Sequence, residues 1–243
     1  MFNFQLIMIS ALTPVAVFIW YLYRKDKANP EPPLNLVLAF GAGVLSVFLS
    51  LAVTTPMSFM GIDFSESESM IGQALEALMF AAVPEEMAKL LMFLIVIHFM
   101  KNFDEYFDGA VYCGIVGLGF AGFENIMYIA GAEDIIGMSI GRALMSIPGH
   151  FSFGIFMGYF FSRSWFDRNK GCLFYLLVIA VPVFFHWMYD ALLMCAGVAP
   201  EGIDLLLMLF FFAFFAMMML LTFFAIRHLL KLDKARDIKT NVV

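Results

Sequence analysis

Seven runs of apolar residues, near 3–23, 34–56, 71–100, 109–131, 138–161, 171–195 and 203–227, fill most of this 243-residue chain. Each is long enough to cross a hydrocarbon core of ~30 Å. No water satisfies the backbone there, so a crossing segment must bond internally as a helix or belong to a closed barrel. Uninterrupted runs of this length read as helices. The sequence therefore predicts an all-α, polytopic membrane protein with seven transmembrane helices. Composition agrees: at 63% hydrophobic and 14% charged, the chain has more apolar surface than a water-soluble domain can bury.

The segments between the runs set the orientation. Arg24, Lys25 and Lys27 follow the first run, Lys101 the third, and Arg163, Arg168 and Lys170 the fifth. Arg227, Lys231, Lys234, Arg236 and Lys239 follow the seventh. The opposite loops carry Asp63, Glu66, Glu68, Glu133, Asp134, Glu201 and Asp204 and no basic residue. The positive-inside rule then puts the N-terminus outside and the C-terminus inside. Short loops suggest one membrane domain over residues 1–243. The first run lacks a charged leader and a small-residue cleavage site and reads as a retained helix. No basic patch with interleaved aromatics faces water, which argues against nucleic acid as a partner. Cys113, Cys172 and Cys195 lack metal-type spacing and read as small packed hydrophobes. NPEPP at 29–33 reads as a stiff inner turn before the second span rather than a binding motif.

Against this apolar background, the polar residues at membrane depth stand out. The third run holds Glu85, Glu86 and Lys89, with His98 near its inner end, where it reads as structural. The fourth holds Glu124, Asn125 and Tyr128; the fifth, Arg142 and His150; the sixth, His186 and Asp190. The first, second and seventh carry no charge in the interior of their spans. A charged group at bilayer depth costs at least ~2.5–3.5 kcal/mol on insertion scales. With a rise of ~1.5 Å per residue, Glu85, Glu86, Glu124, His150, His186 and Asp190 all fall between the midplane and the outer face. Taken singly, a Glu–Lys pair reads as interhelical glue and a histidine as a packed core residue. Six such groups at one depth on four consecutive helices read as the lining of a wet cavity.

Local spacing supports a shared site. Lys89 lies i+4 from Glu85 and i+3 from Glu86, so it can pair with either carboxylate. His186 and Asp190, and Glu124 and Tyr128, are i,i+4 pairs. Arg142 reads as an outer-end residue or an ion-pair partner of Glu124. Pro84 removes an amide that would bond the Phe80 carbonyl, and SIPGH puts Pro148 and Gly149 directly before His150. Both positions favour a bend beside a polar side chain. Carboxylates and imidazoles gathered in such a cavity can activate water, by general-base catalysis or through a metal. A GxSG motif, an HExxH motif and an aspartyl dyad are absent, although the i,i+4 pair Ser146 and His150 keeps a weak serine reading open.

PEEMAK (84–89), DGAVYCGIVGLGFAGFENIMY (108–128), RALMSIPGH (142–150) and HWMYD (186–190) together resemble the PrsW family of intramembrane proteases, related to CAAX prenyl endopeptidases and bacteriocin-processing enzymes. The resemblance covers about residues 80–190, the third to sixth helices, which become the expected catalytic core. It implies an endopeptidase of a bacterial plasma membrane, cutting a single-pass membrane protein such as an anti-sigma factor near its outer side in stress signalling. It also implies Glu85, Glu86, Glu124, His150, His186 and Asp190 as catalytic residues, with Lys89, Asn125, Tyr128 and Arg142 supporting them. In that assignment Glu86 or Glu85 is the base, Asn125 an oxyanion donor, Asp190 the partner of His186 and Lys89 a charge balance. The motifs serve a zinc ion held by Glu86, Glu124, His150 and His186, or a metal-free glutamate mechanism. A proton- or ion-coupled transporter would line a cavity with the same residue types, but no inverted repeat is visible. A retinal protein would need a lysine on the seventh helix, and a scaffold would leave the polar cluster without purpose.

Overall fold

The computed structural model describes residues 2–27, 29–99, 102–167 and 171–240, and its regular elements are all helices. They are α1 (Phe2–Lys25), α2 (Pro33–Phe59), α3 (Met70–Glu76), α4 (Val83–Phe99), α5 (Tyr106–Gly131), α6 (Ile135–Gly141), α7 (Ile147–Phe166), α8 (Gly171–Val198) and α9 (Ile203–Thr240). Among the described residues, six helical runs are long and apolar enough to cross a membrane: α1, α2, α5, α6 with α7, α8 and α9. The stretch read as the third span is helical but is not among those six. It is built from α3, a π-helical stretch over Ala77–Ala82 and α4, and Glu85, Glu86 and Lys89 set it apart from the other six. Lys101, Arg168 and Lys170, used above for orientation, lie outside the described residues, as do the side chains of Cys172 and Lys239. Cys113 and Cys195 are buried free thiols.

Local chemistry explains where the helices begin. Pro33 opens α2, where its missing amide costs nothing. The Ser69 hydroxyl accepts from Gly72 N at the start of α3, and Asp134 accepts from Gly137 N at the start of α6. Glu105 and Asp108 form a capping box at the start of α5. The last helix runs well past the predicted 203–227, because the charged tail from Arg227 contains good helix formers and no breaker.

Both prolines singled out in the sequence sit just after a π-helical stretch. Val83 N bonds to Leu78 O ahead of Pro84, and Ile147 N bonds to Arg142 O ahead of Pro148. A proline cannot donate to the carbonyl four residues back, and a widened turn absorbs the mismatch without breaking the helix. The predicted bends are thus realised as π turns, each leading directly into polar residues.

The centre of the bundle is α5, buried along most of its length against α2, α7 and α1. Glycines allow this approach. A Cβ on Gly154 would lie 2.5 Å from Cys113 O, one on Gly117 2.6 Å from His150 O, and one on Gly43 2.1 Å from Val116 O. Small residues at helix contacts let backbones meet where lipid supplies no hydrophobic drive to pack. Through α5 the chain holds Glu124, at one end, in fixed register with His150 on α7.

Candidate active site

Consecutive residues on a helix point about 100° apart, so Glu85 and Glu86 face different surroundings. Glu86 is fully buried, and its Oε1 lies 2.8 Å from Lys89 Nζ and 2.8 Å from His186 Nδ1. Glu85 lines a cavity, with its Oε2 3.4 Å from Lys89 Nζ and 3.9 Å from His186 Nε2. Lys89 is itself buried, and its ammonium also lies 3.0 Å from His150 Nδ1 and over the face of Phe120. One ammonium therefore pairs with two carboxylates and contacts an imidazole.

The hydrogen bonds fix both rings. Lysine can only donate, so His150 Nδ1 accepts and Nε2–H donates to Glu124 Oε2 at 3.0 Å. His186 has a carboxylate at each nitrogen, Glu86 at Nδ1 and Asp190 Oδ2 3.0 Å from Nε2. Phe153 stacks on the His186 ring with centroids 4.6 Å apart, and the two imidazoles cross edge to face at 5.2 Å. Phe120 and Phe153 carry no polar signature, and only their glycine-rich surroundings hinted at a closely packed site.

Arg142 does what its sequence position suggested. It donates from Nη2 to Glu124 and from Nε to Asn125 Oδ1 at 2.6 Å, while its guanidinium lies over the Tyr128 ring. The Ser146 hydroxyl also engages Arg142, at 2.9 Å, while both His150 nitrogens are occupied by Lys89 and Glu124. The Ser146–His150 pair suggested by spacing is therefore not formed. Asn125 stands behind Arg142 and off the cavity wall, its Nδ2 buried without a partner. His98 lies apart from this cluster, beside Phe99.

The cavity has a volume of about 950 Å³. Its wall runs from Glu133 and Asp134, in the loop after α5, down to Glu85, Glu124, Tyr128, Arg142, His150, His186 and Asp190. The loop residues belong to the side that the sequence predicts as outer. Among the described residues, ligand-type atoms of Glu85, His150 and His186 lie within 4.8 Å of one another. That grouping contains Glu85 and neither Glu86 nor Glu124, the two carboxylates that the sequence placed in a metal set. Two imidazoles and a carboxylate are the donors of catalytic zinc sites that leave a position open to water. The carboxylate on His186 Nδ1 is the usual outer support of such a ligand. The residues fit a zinc ion, whose binding would release protons from the ligating nitrogens.

A helical membrane protein with carboxylates and imidazoles on its cavity wall carries the groups that an intramembrane hydrolase needs to activate water. The family profile described as "PrsW family intramembrane metalloprotease" matches residues 31–219, and the chain belongs to that family. It is 32% identical over 185 residues to Protease PrsW of Geobacillus kaustophilus strain HTA426, covering 76% of this chain and 78% of that protein. It is 28% identical over 188 residues to Protease PrsW of Clostridioides difficile strain 630, covering 76% and 77%. Against Protease PrsW of Bacillus subtilis strain 168 it is 29% identical over 185 residues, covering 76% and 81%. No solved structure matches the chain. The protein is a multi-pass membrane protease, and its bacterial relatives fit a place in the plasma membrane.

Proposed function

We propose that this chain, as one membrane domain with its N-terminus outside and C-terminus inside, is an endopeptidase cutting membrane-anchored proteins in the outer half of the bilayer. A single-pass substrate such as an anti-sigma factor fits this reading, with the chemistry held in residues 80–190. The carrying observation is the meeting of Glu85, His150 and His186, from three helices, on the wall of a cavity that reaches down from Glu133 and Asp134.

Each residue has a role that its contacts support. Glu85 is the carboxylate that faces both the cavity and the imidazoles, so it takes the proton of the attacking water and returns it to the leaving amine. Glu86 holds His186 through Nδ1 and balances Lys89, while Asp190 holds the other side of the ring. Glu124 fixes His150 and is itself fixed by Arg142, which Asn125 orients. Arg142 and Tyr128, both on the cavity wall, are the donors available to a developing oxyanion. In a metal-dependent form of the same site, Glu85, His150 and His186 would hold a zinc ion, which would acidify water and polarise the scissile carbonyl, and Glu85 would then serve as a ligand rather than as the base.

The test is cleavage of a panel of single-pass membrane proteins by the purified, lipid-reconstituted chain, with Glu85→Gln alongside and a chelator arm followed by zinc add-back. Loss of cleavage in Glu85→Gln and in chelator, with recovery on zinc, supports the reading. Unimpaired cleavage by Glu85→Gln would overturn the site, and indifference to chelation would overturn the zinc role.

A further inference from the structure

A second group of acids lies at the other end of α5. Sixteen residues separate Asp108 from Glu124, about 24 Å of helix. Asp26, Glu31 and Asp108 are all buried there, at 4%, 3% and 0% exposure, and Glu105 stands beside them. Ligand-type oxygens of Asp26, Glu105 and Asp108 lie within 4.8 Å of one another. Glu31, inside the turn that the sequence read as merely stiff, receives the Tyr112 hydroxyl and meets the Asp108 carboxyl.

Among the described residues, donors leave the three buried acids Asp26, Glu31 and Asp108 without a cationic partner. Asp108 Oδ2 accepts the amides of Asp104 and Glu105, at 2.8 and 2.7 Å, and Asp26 Oδ2 accepts Glu31 N at 3.0 Å. Among the described residues, none of Asp26, Glu31 and Asp108 forms a salt bridge with a Lys, Arg or His. Nor is the start of α5 short of caps, since Asp233 takes the amides of Tyr106 and Phe107. Asp108 Oδ1 is buried and receives no N–H or O–H from the described residues. The Asp108 and Glu31 carboxyls also meet side chain to side chain, a contact that needs a proton or a cation between them. A shared proton would relieve that one contact. A divalent cation would relieve the whole group.

We propose that Asp26, Glu105 and Asp108, with Glu31, hold a hard divalent cation, calcium or magnesium, that ties the α1–α2 turn to the start of α5. Oxygen-only donors suit these ions and disfavour softer metals. The bound ion would anchor α5 at its start, and α5 carries Glu124 at its other end, so the site is a structural latch remote from the cavity.

The test uses full-length protein carrying His150→Ala and His186→Ala, which removes the imidazoles of the cavity. After chelation, terbium is titrated and its luminescence, sensitised through nearby Tyr112, is followed; calcium and magnesium then compete in separate arms. Thermal unfolding is measured in parallel. Expected is a saturable signal displaced by calcium or magnesium, and a Tm rise of about 5–10 °C at a hundredfold excess over Kd. Asp26→Asn and Glu105→Gln should each remove the signal and the rise. Asp26→Asn should still melt at or above the parent in chelator, because neutralising one of the clustered acids relieves repulsion, so loss of signal is distinguishable from loss of fold. No sensitised signal, or a signal that survives both substitutions, would overturn the proposal and leave a proton shared by Glu31 and Asp108. Calcium and magnesium both failing to displace terbium would overturn it equally.

Discussion

Glu85 and Glu86 are adjacent and chemically identical, yet their surroundings predict opposite failures. Glu86 is fully buried and sits 2.8 Å from the Lys89 ammonium, itself 2% exposed. Removing one partner of a buried pair leaves an uncompensated charge and costs about 3–5 kcal/mol. In Glu86→Gln the Glu85 carboxylate remains 3.4 Å from Lys89, so the cost should fall at the lower end, about 3 kcal/mol. For a chain of this size that is a Tm drop on the order of 10 °C. Adding Lys89→Met removes the stranded charge and fills its volume beside Phe120. The double variant should recover most of the loss, giving a coupling energy of about 2–3 kcal/mol in the cycle. Glu85→Gln should melt close to the parent while losing about a hundredfold or more of its cleavage rate. Tryptophan-fluorescence melting in mild detergent reads the stabilities, and a single-pass substrate reads the rates. If Glu86→Gln melts with the parent, or the double variant is no better than the single, Glu86 is not the counter-charge of Lys89 and the division of labour fails.

Other consequences are as specific. Pro84→Ala restores an amide for the Phe80 carbonyl, so the π stretch over Ala77–Ala82 should relax toward α-helix; stability should rise and cleavage fall as Glu85 turns from the cavity. Gly154→Val drives a side chain into the Cys113 carbonyl and should cost at least about 1–3 kcal/mol. Gly141→Ala, with open space at its Cβ, should instead gain about 0.5–1 kcal/mol, and melting of the two variants side by side checks the contrast. Arg142→Lys cannot hold Glu124 and Asn125 at once, and should lose about 1.5–3 kcal/mol together with part of the cleavage rate. An unchanged melting curve for Arg142→Lys would mean the guanidinium fork is not formed.

Much of this protein is written along the chain. Run length and apolarity determine that it is a bundle of membrane helices, because lipid leaves the backbone no other way to bond. The cost of charge at depth marks Glu85, Glu86, Lys89, Glu124, Arg142, His150, His186 and Asp190 as a set, and Pro84 and Pro148 mark where their helices distort. Spacing also settles relations within one helix, such as His186 with Asp190 and Lys89 with its two carboxylates.

Relations between helices were not legible, because spacing fixes an angle about an axis but not which neighbour lies at that angle. Only packing decides that Glu85 meets the cavity and both imidazoles while Glu86 is buried against His186, and that Ser146 turns to Arg142. The close contacts of α5 depend on glycines whose partners, Val116, Cys113 and His150, lie on other helices or face them. The sequence singled out none of the acids around the inner turn, and only the folded bundle brings Asp26, Glu31 and Asp108 into one buried group. The sequence determined which groups must be sheltered from lipid, and the tertiary structure decided which of them shelter one another.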